Sequence, residues 1–368
     1  MTDVPAPTAT PAPAPATPAL GSDISEMSGG TLLSARGVSV AFPVGGRPGR
    51  RRFLRAVDGV DLSVRSGEVL GVVGESGSGK STLARALAGL QPLSGGEITF
   101  DGRVLGRRRS SADQRRIQMV FQDPYSSLNP RLTVGGMLRE LLRVHHVVPR
   151  SAAGAEAVAL IGRVGLAPDA LHAYPRQFSG GQRQRVAIAR ALALRPDVLV
   201  ADEPVSALDV SVQATILNLL SELRASLGLT MVLISHNLAV VSHLCDTVAV
   251  MYLGRVVESG PATVLLRSPG HPYTKGLIAA IPRLPVASAV VGGGASGVVG
   301  GVDLLAAPPA LLGDPPSPLA VPAGCRFRSR CPIAQPRCES EDPALTVAPS
   351  DTAHRVACHF AFAEVPAP

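Results

Sequence analysis

The chain has 368 residues, 46% hydrophobic and 17% charged, a composition that excludes a coiled coil and a wholly disordered chain. At roughly 150 residues per domain this makes about two domains with room for a substantial core. A net charge of +7 fits anionic partners (nucleotide phosphates, nucleic acid, lipid headgroups), while no Trp, 4 Tyr and 8 Phe leave little for a base-stacking platform.

Residues 1–30 are rich in Pro, Ala and Thr and have neither a basic n-region nor an apolar h-region; they predict a disordered arm and no secretory signal. Residues 31–282 alternate strand-like and helix-like segments, which predicts an α/β domain. Gly37–Phe42 reads as a strand, followed by a basic, Gly-rich insertion over residues 45–55. Val69–Val73 is a continuous apolar run, as a strand buried on both faces requires, and Leu83, Leu87 and Leu90 then recur at helical spacing. Residues 123–177 read as a mostly helical insertion. Val198–Ala201 and Thr230–Ile234 are two more buried strands, with a helical face between them at Val212, Ile216, Leu219, Leu220, Leu223 and Leu227. Residues 283–322 predict a flexible linker. Nineteen uncharged residues, Leu284–Val302, fall in it, but six are glycines, which argues against a membrane span. Residues 323–368 form a small Cys-containing tail.

Gly74, Glu75, Ser76, Gly77, Ser78, Gly79, Lys80, Ser81 and Thr82 match the phosphate-binding loop in full, between a strand and a helix. Glycines let successive N–H groups turn toward phosphate oxygens, and the helix adds the positive end of its dipole. Lys80 can reach the β- and γ-phosphates and Ser81 can ligate Mg²⁺. Val198–Ala201 ends in Asp202 and Glu203. Strand alternation points these carboxylates to opposite faces, Asp202 for Mg²⁺ and Glu203 for the attacking water.

Phe178, Ser179, Gly180, Gly181 and Gln182, before a helix, resemble the signature of ATP-binding-cassette (ABC) ATPases. The other family markers fall in order. Gln122 resembles the Q-loop glutamine, a further Mg²⁺ contact; Ser206–Asp209 resemble the D-loop, with Asp209 as its acid; His236 resembles the switch histidine. Phe42 sits where the family stacks an aromatic on adenine. The resemblance implies a P-loop cassette with a parallel-sheet core and an inserted helical subdomain, in which Gln122, Glu203 and His236 are catalytic. It also implies that Ser179–Gln182 complete the nucleotide site of an opposing subunit. One chain then cannot close a site alone, and ATP holds two halves together.

Phe121–Arg131, together with His271–Thr274 and Gly324–Phe327, resemble the oligopeptide/dipeptide importer branch, in particular its second ATPase type. That branch implies a peripheral subunit on the cytoplasmic face of the membrane. Its partners would be a second ATPase subunit, two permease subunits and, indirectly, an extracytoplasmic solute-binding protein, with no nucleic acid. Four of five cysteines, Cys325, Cys331, Cys338 and Cys358, lie in the last 44 residues. Four thiolates suit a 4Fe–4S cluster or Zn²⁺, some members of the branch carry clusters, and unliganded structural thiols are the third reading. Cys245 reads as core, and His145, His146, His243, His354 and His359 as surface or structural. An ATPase acting on nucleic acid with a zinc-binding cysteine cluster is the alternative function, and an exporter ATPase a weaker one.

Overall fold

The computed structural model describes residues 30–45, 52–280, 313–348 and 351–362. The arm read at residues 1–30 lies, but for Gly30, outside them, as does most of the linker. An antiparallel pair comes first, β1 (Thr31–Pro43) and β2 (Phe53–Arg65). Phe53, Leu54 and Arg55, expected in the basic insertion, already belong to β2. Then follow β3 (Val69–Val73), α1 (Lys80–Leu87), β4 (Gly95–Phe100), β5 (Arg103–Val104), α2 (Ser111–Arg116) and β6 (Ile117–Val120). The expected position of Leu90 on α1 is corrected. Gly89 leaves the helix with φ +75°, the Leu90 N–H turns back to the Arg85 carbonyl at 2.8 Å, and the Leu90 side chain is exposed.

Residues 123–177 hold α3 (Val134–Val144), α4 (Ala153–Arg163) and short 3₁₀ turns. Thr133 starts α3 by accepting the Gly136 N–H at 3.1 Å. The chain continues through α5 (Gly180–Leu192), β7 (Val198–Asp202), α6 (Val210–Leu227), β8 (Thr230–Ser235), α7 (Leu238–Leu244), β9 (Thr247–Tyr252), β10 (Arg255–Pro261), α8 (Ala262–Arg267) and α9 (Pro272–Ala279). The tail adds α10 (Arg337–Ser340), β11 (Thr346–Ala348) and β12 (Asp351–Val356).

Strands β2-β1-β4-β5 make an antiparallel sheet. The main sheet runs β11-β12-β10-β9-β3-β8-β7-β6. From β9 to β6 its strands are parallel, and β10, β12 and β11 are antiparallel additions. The sheet is therefore mixed, with a parallel centre. Its central strands are apolar throughout because each feeds two cores. Val69 and Val73 face the helices α3–α7, while Leu70 and Val72 face α1 and the antiparallel sheet. The same alternation separates Leu199 and Ala201 from Val198 and Val200 in β7. Cys245, just past α7, is buried against Gly71, and burial pushes its thiol up to about 12.

The Cys-containing tail shares this sheet: β12 pairs with β10, Glu258 opposite Val356. Glu258 is fully buried. Its carboxylate accepts the Gly270 N–H at 2.7 Å and the His271 N–H at 3.1 Å, and meets Nε2 of the equally buried His354 at 2.7 Å. His354 is thus structural, as expected. Removing it strips one of three partners from a fully buried carboxylate. His354→Ala is expected to lower stability by about 2–3 kcal/mol in urea denaturation, and an unchanged midpoint would refute this account of how the tail is held.

Candidate active site

Residues 74–79 turn between β3 and α1 in a way that two glycines dictate. Gly74 has φ +152° and Gly79 φ +104°; a Cβ would lie 2.2 Å from the Met251 carbonyl oxygen at the first and 2.1 Å from that of Ala56 at the second. Ser76 and Gly77 are exposed at the tip, Ser78 is buried, and Ser81 and Thr82 are half-buried on the first turn of α1. Lys80 is buried, with Nζ donating to the carbonyls of Gly74 and Glu75 at 2.8 Å each. Burial lowers its pKa, and the carboxylates of Glu203, Asp202 and Glu75 act against that.

The end of β7 lies beside this loop. Asp202, on the face that carries Val198 and Val200, accepts the Ser81 hydroxyl at 2.9 Å. Burial raises its pKa, and the Ser81 hydrogen bond opposes the rise. An alcohol and a carboxylate held this way are hard oxygen donors that fit Mg²⁺, with phosphate oxygens and water to complete its shell. Glu203 takes a left-handed φ of +44°, rare for a residue with a side chain. Its Oε2 accepts Gln122 Nε2 at 3.2 Å and lies 3.2 Å from His236 Nδ1. Three residues read separately, from positions 122, 203 and 236, therefore meet on one carboxylate oxygen. Phe42 is half-buried against the core beneath the antiparallel sheet.

The signature residues form a separate surface. Ser179 caps α5: its hydroxyl accepts the Gln182 N–H at 3.3 Å, and Gln182 Oε1 accepts the Ser179 N–H at 3.0 Å. Ser179 and Gly180 are exposed, so an open helix N-terminus faces outward. Asp209, at the N-terminus of α6, is also exposed and makes no capping bond. Gly181 is buried against α6.

The metal readings of the tail cysteines find no support. The Cys325 N–H donates to the Cys338 carbonyl at 2.9 Å, so the tail does fold around its cysteines. However, among the described residues no three His, Cys, Asp or Glu side chains form a group able to hold a metal ion. Burial pushes the Cys325 and Cys331 thiols up to about 11, and the neighbouring Cys338 and Cys358 thiols add to the rise. The 4Fe–4S and Zn²⁺ readings of Cys325, Cys331, Cys338 and Cys358 thus have no support. Cys325 and Cys338 pack into the main core.

Sequence reasoning missed two tail arginines. Arg326, buried, pairs with Asp58 of β2 and donates to the Leu253 carbonyl. Arg330, 4% exposed, grips Glu75 of the phosphate loop through two bonds, 2.7 and 2.9 Å long. Tyr273 also reaches this residue, its hydroxyl accepting the Glu75 N–H at 2.7 Å. Arg326 lay within the Gly324–Phe327 branch segment without a role, and the signal for Arg330 was its place next to Cys331.

Residues 57–206 match the ABC transporter family. The chain belongs to that family of ATP-hydrolysing cassettes. Residues 257–293 and 306–338 match the oligopeptide/dipeptide transporter C-terminal region. The chain is 48% identical over 309 residues to a probable peptide ABC transporter ATP-binding protein of Sinorhizobium fredii, covering 83% of this chain and 82% of that protein. It is 45% identical over 337 residues to the oligopeptide transport ATP-binding protein OppF of Salmonella typhimurium, covering 89% and 95%. Among solved structures it is similar to a dimeric, post-hydrolysis ATP-binding cassette bound to ADP and phosphate, with TM-score 0.55 and 27% identity over 63% of this chain and 99% of that one. CbiO1 of Clostridium perfringens, part of an ABC transporter complex, gives TM-score 0.55 and 28% identity over 65% and 96%. These relatives are transport proteins, and the nucleic-acid alternative has no support.

A Cβ at Gly181 would fall 2.4 Å from Val212 Cγ1, on a branched, half-buried side chain of α6. Gly181→Ala is therefore expected to cost about 1–3 kcal/mol in urea denaturation through overpacking, and Gly181→Ala/Val212→Ala to regain most of it. A double variant as unstable as the single one would disprove that cause.

Proposed function

We propose that this chain is the ATP-driven subunit of an importer for di- or oligopeptides, acting as one half of a dimer that closes on ATP. The observation that carries this reading is the meeting of Glu203 with Gln122 and His236, beside a phosphate loop whose Ser81 is already bonded to Asp202. That arrangement contains a nucleophile-activating carboxylate, its positioning groups and a cation site, but nothing from this chain's own signature, which faces solvent.

The roles follow from the geometry. Gly74–Thr82 cradle the triphosphate, and Lys80 exchanges the carbonyls of Gly74 and Glu75 for phosphate oxygens. Phe42 stacks on the adenine. Ser81, Asp202 and Gln122 would hold Mg²⁺, which when bound neutralises charge on the β- and γ-phosphates. Glu203 Oε2 accepts a proton from water as the water oxygen bonds to the γ-phosphorus; the bond from that phosphorus to the bridging oxygen breaks, leaving ADP and phosphate. Gln122 and His236 aim the carboxylate. Ser179, Gly180, Gly181 and Gln182, with Asp209 nearby, serve the site of a second ATPase subunit, where an exposed helix N-terminus suits a γ-phosphate.

Peptide as cargo is supported by the printed descriptions of the relatives and by the matching C-terminal region. Among the described residues no helix is long and apolar enough to cross a membrane. The subunit would thus work peripherally, on the cytoplasmic face, with its helical subdomain set against two permease subunits supplied by a solute-binding protein. Tyr125 of that subdomain is exposed, with the Arg183 guanidinium 4.1 Å from its ring centre.

Glu203→Gln is expected to retain Mg-ATP binding, lose turnover by about 100-fold or more, and accumulate as an ATP-bound dimer. Phosphate release and size-exclusion chromatography check both. Hydrolysis at the wild-type rate would remove Glu203 from its role.

A further inference from the structure

Glu75 sits inside the phosphate loop, next to where a triphosphate carries its charge, and a carboxylate there is unfavourable on its own. Its carbonyl oxygen holds Lys80 Nζ at 2.8 Å, so the same residue is coupled to the loop's cation. What restrains it comes from the C-terminal part of the chain. The Tyr273 hydroxyl takes its N–H, and the Arg330 guanidinium occupies both oxygens of its side chain. With both oxygens engaged, the carboxylate cannot fold back onto Lys80, and its charge is offset before any nucleotide arrives.

Arg330 is itself set in place. Its guanidinium lies 5.9 Å from the ring centres of Tyr252 and Phe327, two members of an aromatic cluster. Phe327 stands 5.3 Å from Tyr252 and 5.5 Å from Tyr273. Arg326 fixes the same segment from the other side, through Asp58 and the Leu253 carbonyl. That carbonyl belongs to the turn whose next residue, Gly254, donates its N–H to the Ser78 carbonyl at 2.8 Å. The tail thus touches the loop directly at Glu75 and, through one intervening turn, at Ser78.

We propose that Arg330 is a positioning residue for nucleotide binding: from the C-terminal tail it neutralises and orients Glu75, so that the phosphate loop receives ATP with Lys80 not captured by the Glu75 carboxylate. This rests on the reading of residues 74–82 as the ATP site. The tail that marks the oligopeptide/dipeptide branch is then part of the nucleotide site, though it contributes no ligand to the phosphates.

The test uses the full chain and measures Mg-ATP affinity by titration calorimetry, with thermal melting without nucleotide alongside. Arg330→Gln is expected to bind Mg-ATP about tenfold more weakly, as one uncompensated charge at the edge of a site should produce. Arg330→Lys, which keeps the charge but not the paired geometry, should fall between. Glu75→Gln/Arg330→Gln should recover most of the affinity that Arg330→Gln loses, because the charge that needed offsetting is gone. A merely structural role for Arg330 would leave the double variant as weak as the single one, and that result would overturn the inference. So would wild-type affinity in Arg330→Gln or, if that variant does not fold, in Arg330→Lys. A wild-type protein that fails to bind Mg-ATP would overturn the site reading and this inference together.

Discussion

Burial of the central strands on both faces governs the rest of the molecule. β3, β7 and β8 lie in parallel with a core on either side, so no polar group can leave them sideways. Polar chemistry is forced to their carboxyl ends, where the chain turns out of the sheet. The phosphate loop follows β3, Asp202 and Glu203 close β7, and His236 follows β8. The site is where it is because the apolar cores leave no other place for it.

Within that frame the two acidic residues are distinguished by backbone. Asp202 keeps the strand's alternation and so faces α1 and Ser81. Glu203 breaks it with a left-handed turn, and its backbone N–H bonds to the Ile234 carbonyl at 3.1 Å, which fixes the turn to β8. The carboxylate reaches Gln122 and His236 only because of this turn. Strain of this kind persists where surrounding structure over-determines it, and here the neighbouring strand does so.

Much of this was legible beforehand, and for a physical reason. The phosphate loop needs glycines at fixed places because backbone passes too close for a side chain. Doubly buried strands leave unbroken apolar runs such as Val69–Val73. Both are local rules, written within a few residues. What escaped reading depends on partners far apart in sequence. Nothing near Arg330 points to Glu75, and nothing near Val356 shows that it will extend the main sheet beside Glu258. The end of α1 was misread because the apolar spacing runs on to Leu90 while Gly89 has already turned the chain. The number and clustering of the tail cysteines left three readings open, because burial, which puts Cys325 and Cys338 in the core, depends on distant packing.

The distance along the chain between Glu75 and Arg330, 255 residues, has a temporal meaning. Translation delivers the loop early and its counter-ion late, after the helical subdomain, Asp202, Glu203 and His236. Throughout that interval the nascent cassette has an acid at its mouth that the tail has not yet met. The finished pairing therefore forms only on molecules whose synthesis has run past Arg330.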